Sequence, residues 1–289
     1  MTTARIEPLE KTIPADGVNL HYVDWGTEGK PPLVVLHGFS SQARYWDGFA
    51  VRMRDAFHVY CLDQRGHGDS DWADDYGPDA MPNDLLAFAD KLGLEKFTLL
   101  GHSMGGMVSM RFAAFHPERV EALIVVDAGL RLLTGRPVSQ QDNSVTRALA
   151  KDTFEDEEDL LAHYKSMNPA LDIERARIPI MYNFRKLPDG RVTYKFDPSL
   201  RNRLIGQSPE EVERAQRAQA DLEARTKDVK CPVLILRGEL SDILMPDVAE
   251  STARAFPNAQ LVEVPRTTHM IPTDDPLAFR SAVREFLGV

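Results

Sequence analysis

Residues 97–106 of this chain read Phe97-Thr98-Leu99-Leu100-Gly101-His102-Ser103-Met104-Gly105-Gly106. The apolar start of this stretch predicts a buried strand, and the helical pattern Gly105–Phe115 follows at once. A G-x-S-x-G sequence between a strand and a helix is typical of a sharp turn, in which small residues let the backbone pass closely and the serine hydroxyl projects from the sheet edge. The pattern therefore predicts that Ser103 is a nucleophile.

Short apolar runs alternate with helix-length stretches along the chain. The runs are rich in Val, Ile and Leu, which suits strands buried on both faces of a parallel sheet. They are Leu33–Leu36, Val59–Leu62, Phe97–Leu100, Leu123–Val126, Val233–Leu236 and Leu261–Val264. Helical patterns separate several of them, as at Asp84–Leu92. This alternation predicts an α/β protein with a mostly parallel central sheet flanked by helices.

The alternation breaks over residues 130–228, where the sequence is charged and mainly helical. Glu155–Ser166 and Ser208–Arg225 are the clearest helical pieces, and the second begins with the residues of a capping box. The break predicts an insertion into the sheet. We therefore expect residues 1–129 and 229–289 to form one core, and residues 130–228 to form a separate, mainly helical unit.

A turn signal inside the insertion, Pro188-Asp189-Gly190, lies between two alternating stretches, Ile180–Leu187 and Arg191–Phe196. This pattern predicts a β-hairpin. Its apolar face would carry Ile180, Tyr182, Phe184, Val192, Tyr194 and Phe196, and its other face would carry the basic residues Arg185, Arg191 and Lys195. One interpretation makes Arg185, Arg191, Tyr182 and Phe184 substrate-binding residues for a carboxylate-bearing substrate. The simpler one packs the apolar face inside the protein and leaves the basic groups in solvent.

The predicted nucleophile needs a base, because a serine hydroxyl is a poor nucleophile alone. His269 is our candidate for the base, because it follows the last apolar run. In the chain order serine, acid, histidine, the base is expected at that position. His102 adjoins Ser103, but adjacent side chains at such a turn point apart. We therefore interpret His102 as a packing residue.

The third group of the predicted triad is a carboxylate that orients His269. Asp242 follows the strand predicted at Val233–Leu236 and precedes the histidine, so the sequence favours it. Glu239 is a nearby alternative, and Asp127, directly after the Leu123–Val126 run, is a candidate for a relocated acid. Asp242 is the predicted acid, with both alternatives left open.

Acyl transfer also needs backbone N–H donors that stabilise the developing oxyanion. One is expected from the residue after the nucleophile, Met104, and the other from the loop after an early strand. The strand predicted at Leu33–Leu36 ends in His37-Gly38-Phe39, so the N–H of Phe39 is the second candidate. The Phe39 side chain is expected on the pocket floor, and His37 is expected to support the loop by hydrogen bonding.

Three motifs now stand in order: His37-Gly38-Phe39, Asp63-Gln64-Arg65-Gly66-His67-Gly68-Asp69-Ser70 and Gly101-His102-Ser103-Met104-Gly105-Gly106. Together with the turn that carries Asp242 and with His269, these motifs make the chain resemble the α/β-hydrolase superfamily from about Val18 onward. The resemblance implies that Leu130–Asp228 is a cap domain over the active site. It also implies that Asp63–Ser70 is a structural loop without a chemical role.

Departures from some superfamily members narrow the expected reaction. Epoxide hydrolases and haloalkane dehalogenases have an aspartate where this chain has Ser103, so those chemistries are disfavoured. Hydrolases of carbon–carbon bonds usually have a more glycine-rich loop than Gly38-Phe39-Ser40-Ser41, which weakens that alternative. We expect a serine hydrolase that cleaves a small carboxylic ester. An amide or carbon–carbon bond hydrolase with the same triad is the alternative, and a non-catalytic hydrolase-fold binding protein is a remote one.

The bulk composition restricts the partners. The formal net charge of −10 disfavours nucleic acid and anionic membrane surfaces, so a small-molecule substrate is expected. The charged start of the sequence and the absence of a long apolar run predict a cytoplasmic protein without a membrane segment. No cofactor or metal is expected, since no zinc-binding motif occurs, and Cys61 and Cys231 are interpreted as reduced core thiols.

Overall fold

The computed structural model describes residues 7–15, 17–130, 151–167, 172–205 and 208–289. Its main sheet has eight strands in the order β1-β2-β4-β3-β5-β6-β10-β11. The strands are β1 (Leu9–Ala15), β2 (Val18–Asp24), β3 (Pro32–Leu36), β4 (His58–Leu62), β5 (Phe97–His102), β6 (Val120–Val126), β10 (Val233–Gly238) and β11 (Ala259–Val264). From β4 to β11 all neighbours are parallel, and each predicted apolar run lies within a strand. The predicted α/β fold is confirmed.

The described helices include those that cover both faces of this sheet and those of the insertion. They are α1 (Asp47–Met53), α2 (Ala80–Lys91), α3 (Met104–Phe115), α4 (Glu157–Met167), α5 (Ile173–Tyr182), α6 (Pro198–Ile205), α7 (Pro209–Arg225), α8 (Pro246–Ala255), α9 (Ile271–Asp274) and α10 (Pro276–Leu287). Among the described helices, none combines the length and apolar character that a bilayer crossing requires. A 3-10 helix, Ala43–Trp46, precedes α1.

Two apolar clusters sandwich the central strands. In β3, Val34 and Leu36 face the cluster under α2 and α3, whereas Leu33 and Val35 face the cluster under α1 and α10. Both faces of these strands are thus buried, which explains why the sequence shows continuous apolar runs there. The antiparallel pair β1–β2 was not predicted, because β1 lies at the sheet edge and most of its residues are exposed.

The described part of the insertion has a small sheet and an apolar cluster of its own. Strands β7 (Thr153–Phe154), β8 (Phe184–Lys186) and β9 (Val192–Tyr194) pair in the order β7-β9-β8. The cluster beneath them contains Phe154, Leu160, Leu161, Ile180, Phe184, Val192, Tyr194 and Phe196. The predicted hairpin is confirmed, but its strands are shorter than predicted. Ile180 and Tyr182 belong to α5, so the alternation there was a poor guide to strand length.

Candidate active site

Ser103 stands at the turn between β5 and α3, as predicted. Its φ of 53° is a left-handed conformation that a residue with a side chain rarely adopts. A Cβ on Gly101 would lie 2.1 Å from the Gly105 carbonyl oxygen, and a Cβ on Gly105 would lie 2.6 Å from that of His37. Both glycines are therefore required by close backbone contacts, and the serine at the tip is held in a strained conformation.

The sheet brings Asp127 beside this turn. In the β5–β6 register, the last pair is His102 with Val126. Ser103 and Asp127 each follow directly after one member of this pair. The N–H of Ser103 donates to the Val126 carbonyl at 2.9 Å, and the N–H of Asp127 donates to the Leu236 carbonyl at 2.8 Å. Asp127 is fully buried at the carboxyl edge of the sheet.

The carboxylate of Asp127 accepts three hydrogen bonds. Its Oδ2 accepts from His269 Nδ1 at 2.7 Å and from the Ser241 hydroxyl at 2.5 Å, and its Oδ1 accepts from the Gly238 N–H at 2.9 Å. An ionised carboxylate can only accept, so Nδ1 of His269 carries the proton and Nε2 keeps its lone pair. That is the protonation pattern a general base requires.

In the structure, Nδ1 of His269 bonds the carboxylate of Asp127 rather than that of Asp242, the acid predicted from sequence. Asp242 lies exposed on the turn after β10, four residues beyond the end of that strand. The strand ends in Gly238, where a Cβ would lie 2.2 Å from the Thr268 carbonyl oxygen. Because the loop before His269 lies directly on this glycine, the imidazole meets the carboxylate of the neighbouring strand, Asp127.

The second alternative, Glu239, is engaged elsewhere. Its carboxylate accepts the backbone N–H of Arg266 at 2.7 Å. Ser241, by contrast, was missed by the sequence analysis although it adjoins Asp242. Its hydroxyl also accepts the N–H groups of Ile243 and Leu244, so its donor is directed at Asp127.

The loop after β3 lies against the nucleophile. A Cβ on Gly38 would be 3.2 Å from the Cβ of Ser103. Within the described residues, neither the N–H of Phe39 nor that of Met104 donates to a backbone acceptor. That these two amides serve as oxyanion donors stays a prediction.

His37 supports this loop, as expected. Its Nδ1–H donates to the Gly38 carbonyl at 2.8 Å, and its Nε2 accepts the N–H of Gln64 at 3.1 Å. The side chain of Gln64 returns a bond to the His37 carbonyl at 2.7 Å. Burial lowers the pKa of His37, so the ring stays neutral and in the one tautomer that satisfies both partners.

The Phe39 side chain belongs to the apolar cluster of the insertion. Its ring lies 5.1 Å from the ring of Phe196 and 5.5 Å from that of His67. Phe39 therefore connects the loop after β3 to the insertion through its side chain. The sequence led us to expect this side chain on the pocket floor, and it did not predict the contact with Phe196.

The loop Asp63–Ser70 has the structural role that the resemblance implied. Asp63 is buried and accepts hydrogen bonds from His21 Nδ1 at 2.8 Å and from the N–H groups of Ala43 and Asp69. Burial alone would raise the pKa of Asp63, but the hydrogen bond from His21 contributes to lowering it below its usual value. Ligand atoms of His21, Asp63 and Asp69 lie close enough together to hold a cation. The Asp63 carboxylate, however, already accepts the hydrogen bonds from His21 and from the two N–H groups.

The same loop contacts the insertion. The N–H of Asp197 donates to the Gly66 carbonyl at 2.8 Å, and Lys195 forms an ion pair with Asp69 at 3.0 Å. The hydroxyl of Tyr76 donates to the Asp197 carboxylate at 2.7 Å. The insertion is thus bonded to this loop of the core through Lys195 and Asp197.

The hairpin residues predicted to bind substrate have protein partners. Arg191 bonds Asp189 at 2.8 Å in the turn, and the guanidinium of Arg185 lies 5.1 Å from the exposed Trp72 ring. Phe184 is buried in the insertion cluster, which leaves little of its surface for a ligand. Tyr182 packs under the guanidinium of Arg44 at 5.6 Å. Arg185 and Arg191 are exposed, and a substrate-binding role for these residues stays a prediction.

Comparison with known proteins agrees with the fold described above. Residues 31–276 match the family described as alpha/beta hydrolase fold. A Bacillus subtilis (strain 168) protein, provisionally named 2-succinyl-6-hydroxy-2,4-cyclohexadiene-1-carboxylate synthase, is 27% identical over 279 residues, covering 94% of this chain and 96% of that protein. The 2-(acetamidomethylene)succinate hydrolase of Mesorhizobium japonicum is 26% identical over 263 residues, covering 90% and 89%.

Among solved structures, an esterase from a marine microorganism superimposes with a TM-score of 0.70 at 25% identity, covering 98% of this chain and 100% of that one. These similar proteins are thus named as a synthase, a hydrolase and an esterase. The strand order, the serine turn and the match over most of the length lead to one conclusion: this chain belongs to the α/β-hydrolase fold family.

Proposed function

We propose that this protein hydrolyses a small carboxylic ester through an acyl-serine intermediate, with Ser103 as nucleophile, His269 as base and Asp127 as the acid that orients it. The observation that carries the proposal is the bond from His269 Nδ1 to Asp127 Oδ2, made at the sheet edge where Asp127 is next to the strained serine turn. A buried imidazole held this way by a carboxylate is the arrangement that activates a hydroxyl.

In the first half of the reaction, Nε2 of His269 takes the proton of the Ser103 hydroxyl while its oxygen attacks the ester carbonyl. The carbonyl oxygen becomes an oxyanion, which accepts hydrogen bonds from the N–H groups of Phe39 and Met104. The protonated His269 then gives its proton to the leaving alcohol oxygen as the carbon–oxygen bond breaks. The products are the free alcohol and an acyl group on Ser103.

The second half repeats these steps with water. Nε2 of His269 takes a proton from water, whose oxygen attacks the acyl carbon through a second oxyanion. Collapse of this intermediate returns the proton to the Ser103 oxygen and releases the carboxylic acid. Throughout, Asp127 stabilises the imidazolium, and its own position is fixed by Ser241 and the N–H of Gly238.

Residues 130–228 are proposed to be the cap that encloses the substrate. The contacts of Asp197 and Lys195 with the loop Asp63–Ser70 support this proposal, since they hold the insertion over the same edge of the sheet that carries Ser103. The packing of Phe39 against Phe196 places the insertion next to one proposed oxyanion donor. Substrate choice should then vary with the cap, whereas the triad chemistry stays the same.

Amide hydrolysis is a second candidate, favoured by one specific observation. A relative that matches along most of the chain is named a 2-(acetamidomethylene)succinate hydrolase, which cleaves an amide-bearing dicarboxylate by its name. The same triad could cleave an amide, with a nitrogen as the leaving group. Comparing kcat/KM for an ester and an amide of the same acyl group, with and without a carboxylate, would separate the two candidates.

Covalent labelling tests the proposal. A fluorophosphonate should label wild-type protein at Ser103, and Ser103→Ala and His269→Ala should each lower kcat for an activated ester by several orders of magnitude while folding is retained. Because the groups act as one unit, the double variant should be little worse than either single one. Absence of labelling in folded wild-type protein would instead favour a non-catalytic binding protein.

A further inference from the structure

We propose that His102 is a positioning residue, which anchors the backbone of His269 and so holds the base in line with Asp127. The inference rests on the proposed function, because it concerns the same triad. The sequence suggested only a packing role for His102, and none of the reaction steps above uses it. Its ring instead contacts the backbone of His269 and the loop at Gly38.

The first contact joins His102 to the base. Its Nε2 lies 2.9 Å from the backbone carbonyl oxygen of His269, to which it donates a hydrogen bond. The two imidazole rings lie 4.7 Å apart, centroid to centroid. His269 is therefore held at two points, through its carbonyl by His102 and through Nδ1 by Asp127. Two anchors restrict both the backbone position and the ring orientation of the base.

The second contact joins the same ring to the oxyanion loop. A Cβ on Gly38 would lie 2.9 Å from Nδ1 of His102, so the ring lies directly against that glycine. On its other sides, Tyr45 stacks at 5.9 Å and Trp46 packs edge-on at 6.5 Å. The imidazole thus fills the space between the loop of the base and the loop of the Phe39 donor.

The ring is suited to this role because it stays uncharged. Burial, helped by the nearby rings of His269 and His37, lowers the pKa of His102 to about 3. A neutral ring with its proton on Nε2 can donate to the His269 carbonyl. It also places no second positive charge beside the imidazolium that forms on His269 during the reaction.

Three variants separate positioning from packing. His102→Gln can keep an N–H donor near the Nε2 position, whereas His102→Leu has no donor and the amide of His102→Asn is too short to reach the carbonyl. We expect His102→Leu and His102→Asn to lower kcat by about 10- to 100-fold with KM changed less than about threefold, because a base displaced by about 1 Å loses that much. His102→Gln should recover most of the loss.

The pH profile is the readout that a merely structural role would not move. When the Asp127–His269 pair loosens, the imidazolium is stabilised less, so the acid limb of kcat/KM should shift to lower pH in His102→Leu and stay in place in His102→Gln. Phe97→Leu is the matched control. It perturbs a buried ring packed on Phe112, away from the base, and should lower thermal stability without moving this limb.

Several outcomes would overturn the inference. These are unchanged kinetics in both donorless variants, equal losses in His102→Gln and His102→Leu, or a fall in kcat with an unmoved acid limb. If His102→Leu does not fold, the polar His102→Asn provides the same comparison. Fluorophosphonate labelling of wild-type Ser103 keeps the two proposals distinguishable, because labelling without any effect of His102 rejects only the positioning role.

Discussion

Asp127→Asn is the sharpest test of which carboxylate orients the base. The carboxylate receives donors on both oxygens: the Gly238 N–H on Oδ1, and His269 Nδ1 and Ser241 Oγ on Oδ2. An asparagine has only one accepting oxygen. If that oxygen faces Gly238, the NH₂ group of the asparagine faces Nδ1 of His269, which must then accept a hydrogen bond. The imidazole proton therefore moves to Nε2, where it blocks proton transfer from Ser103. If the amide flips, two N–H donors face each other at Gly238 in a buried site.

The magnitude follows from these contacts. The variant loses charge-assisted hydrogen bonds to His269 and Ser241, each worth about 1.5–3 kcal/mol, or about 3–6 kcal/mol together. At about 1.4 kcal/mol per tenfold change in rate, kcat should fall by about 10² to 10⁴. Asp242→Asn, on the exposed turn nearby, is the matched control and should stay within about threefold of wild type.

Steady-state hydrolysis of an activated ester measures both variants, and circular dichroism checks that each is folded. KM should change little in Asp127→Asn, because the lost bonds do not touch the substrate. The reasoning is refuted if folded Asp127→Asn keeps more than about a tenth of wild-type kcat. It is also refuted if Asp242→Asn shows the larger loss, which would restore the acid that the sequence favoured.

Two further predictions concern the loop and the acid stability of the fold. Gly38→Ala should lower kcat by about 10²-fold without unfolding the protein, because its Cβ would lie 2.9 Å from His102 Nδ1 and displace the neighbouring Phe39 donor; unchanged kcat would show that the loop tolerates the shift. His67 is buried, and this lowers its pKa to about 3, whereas an unfolded histidine binds its proton near pH 6.5. The unfolded chain therefore takes up a proton first, so stability present above pH 6.5 is lost as pH falls toward 3, at about 1.4 kcal/mol per pH unit for this group. Urea titrations between pH 7 and 4 should show a slope smaller by that amount in His67→Asn, and an equal slope would contradict the assignment.

The sequence predicted the features that depend on local pattern. The buried strands were recognisable because neighbouring residues that face opposite sides of the sheet, such as Leu33 and Val34, are both apolar. The serine turn was recognisable because close backbone contacts require glycine at positions 101 and 105. The capping box at the start of α7 is likewise confirmed, since Ser208 and Glu211 exchange hydrogen bonds across four residues.

The acid could not be chosen in this way. Asp127 and Asp242 both follow apolar strands, and the choice depends on the path of the loop that brings His269 over Gly238. That path is set by contacts between segments far apart in the chain. The roles of Ser241 and His102 were hidden for the same reason, because each acts through a hydrogen bond to a distant residue. Edge strand β1 escaped detection since its exposed face carries polar residues.

Phe39 has one consequence for how such an enzyme could change during evolution. Its ring is part of the apolar cluster of the insertion, whereas its N–H is a proposed oxyanion donor. A mutation at Phe196 that reshapes the cluster for a new substrate would also displace the Phe39 donor. Substrate selectivity and turnover would therefore change together. Transplanting the insertion from a relative should therefore succeed only when position 39 and its aromatic neighbours are exchanged with it.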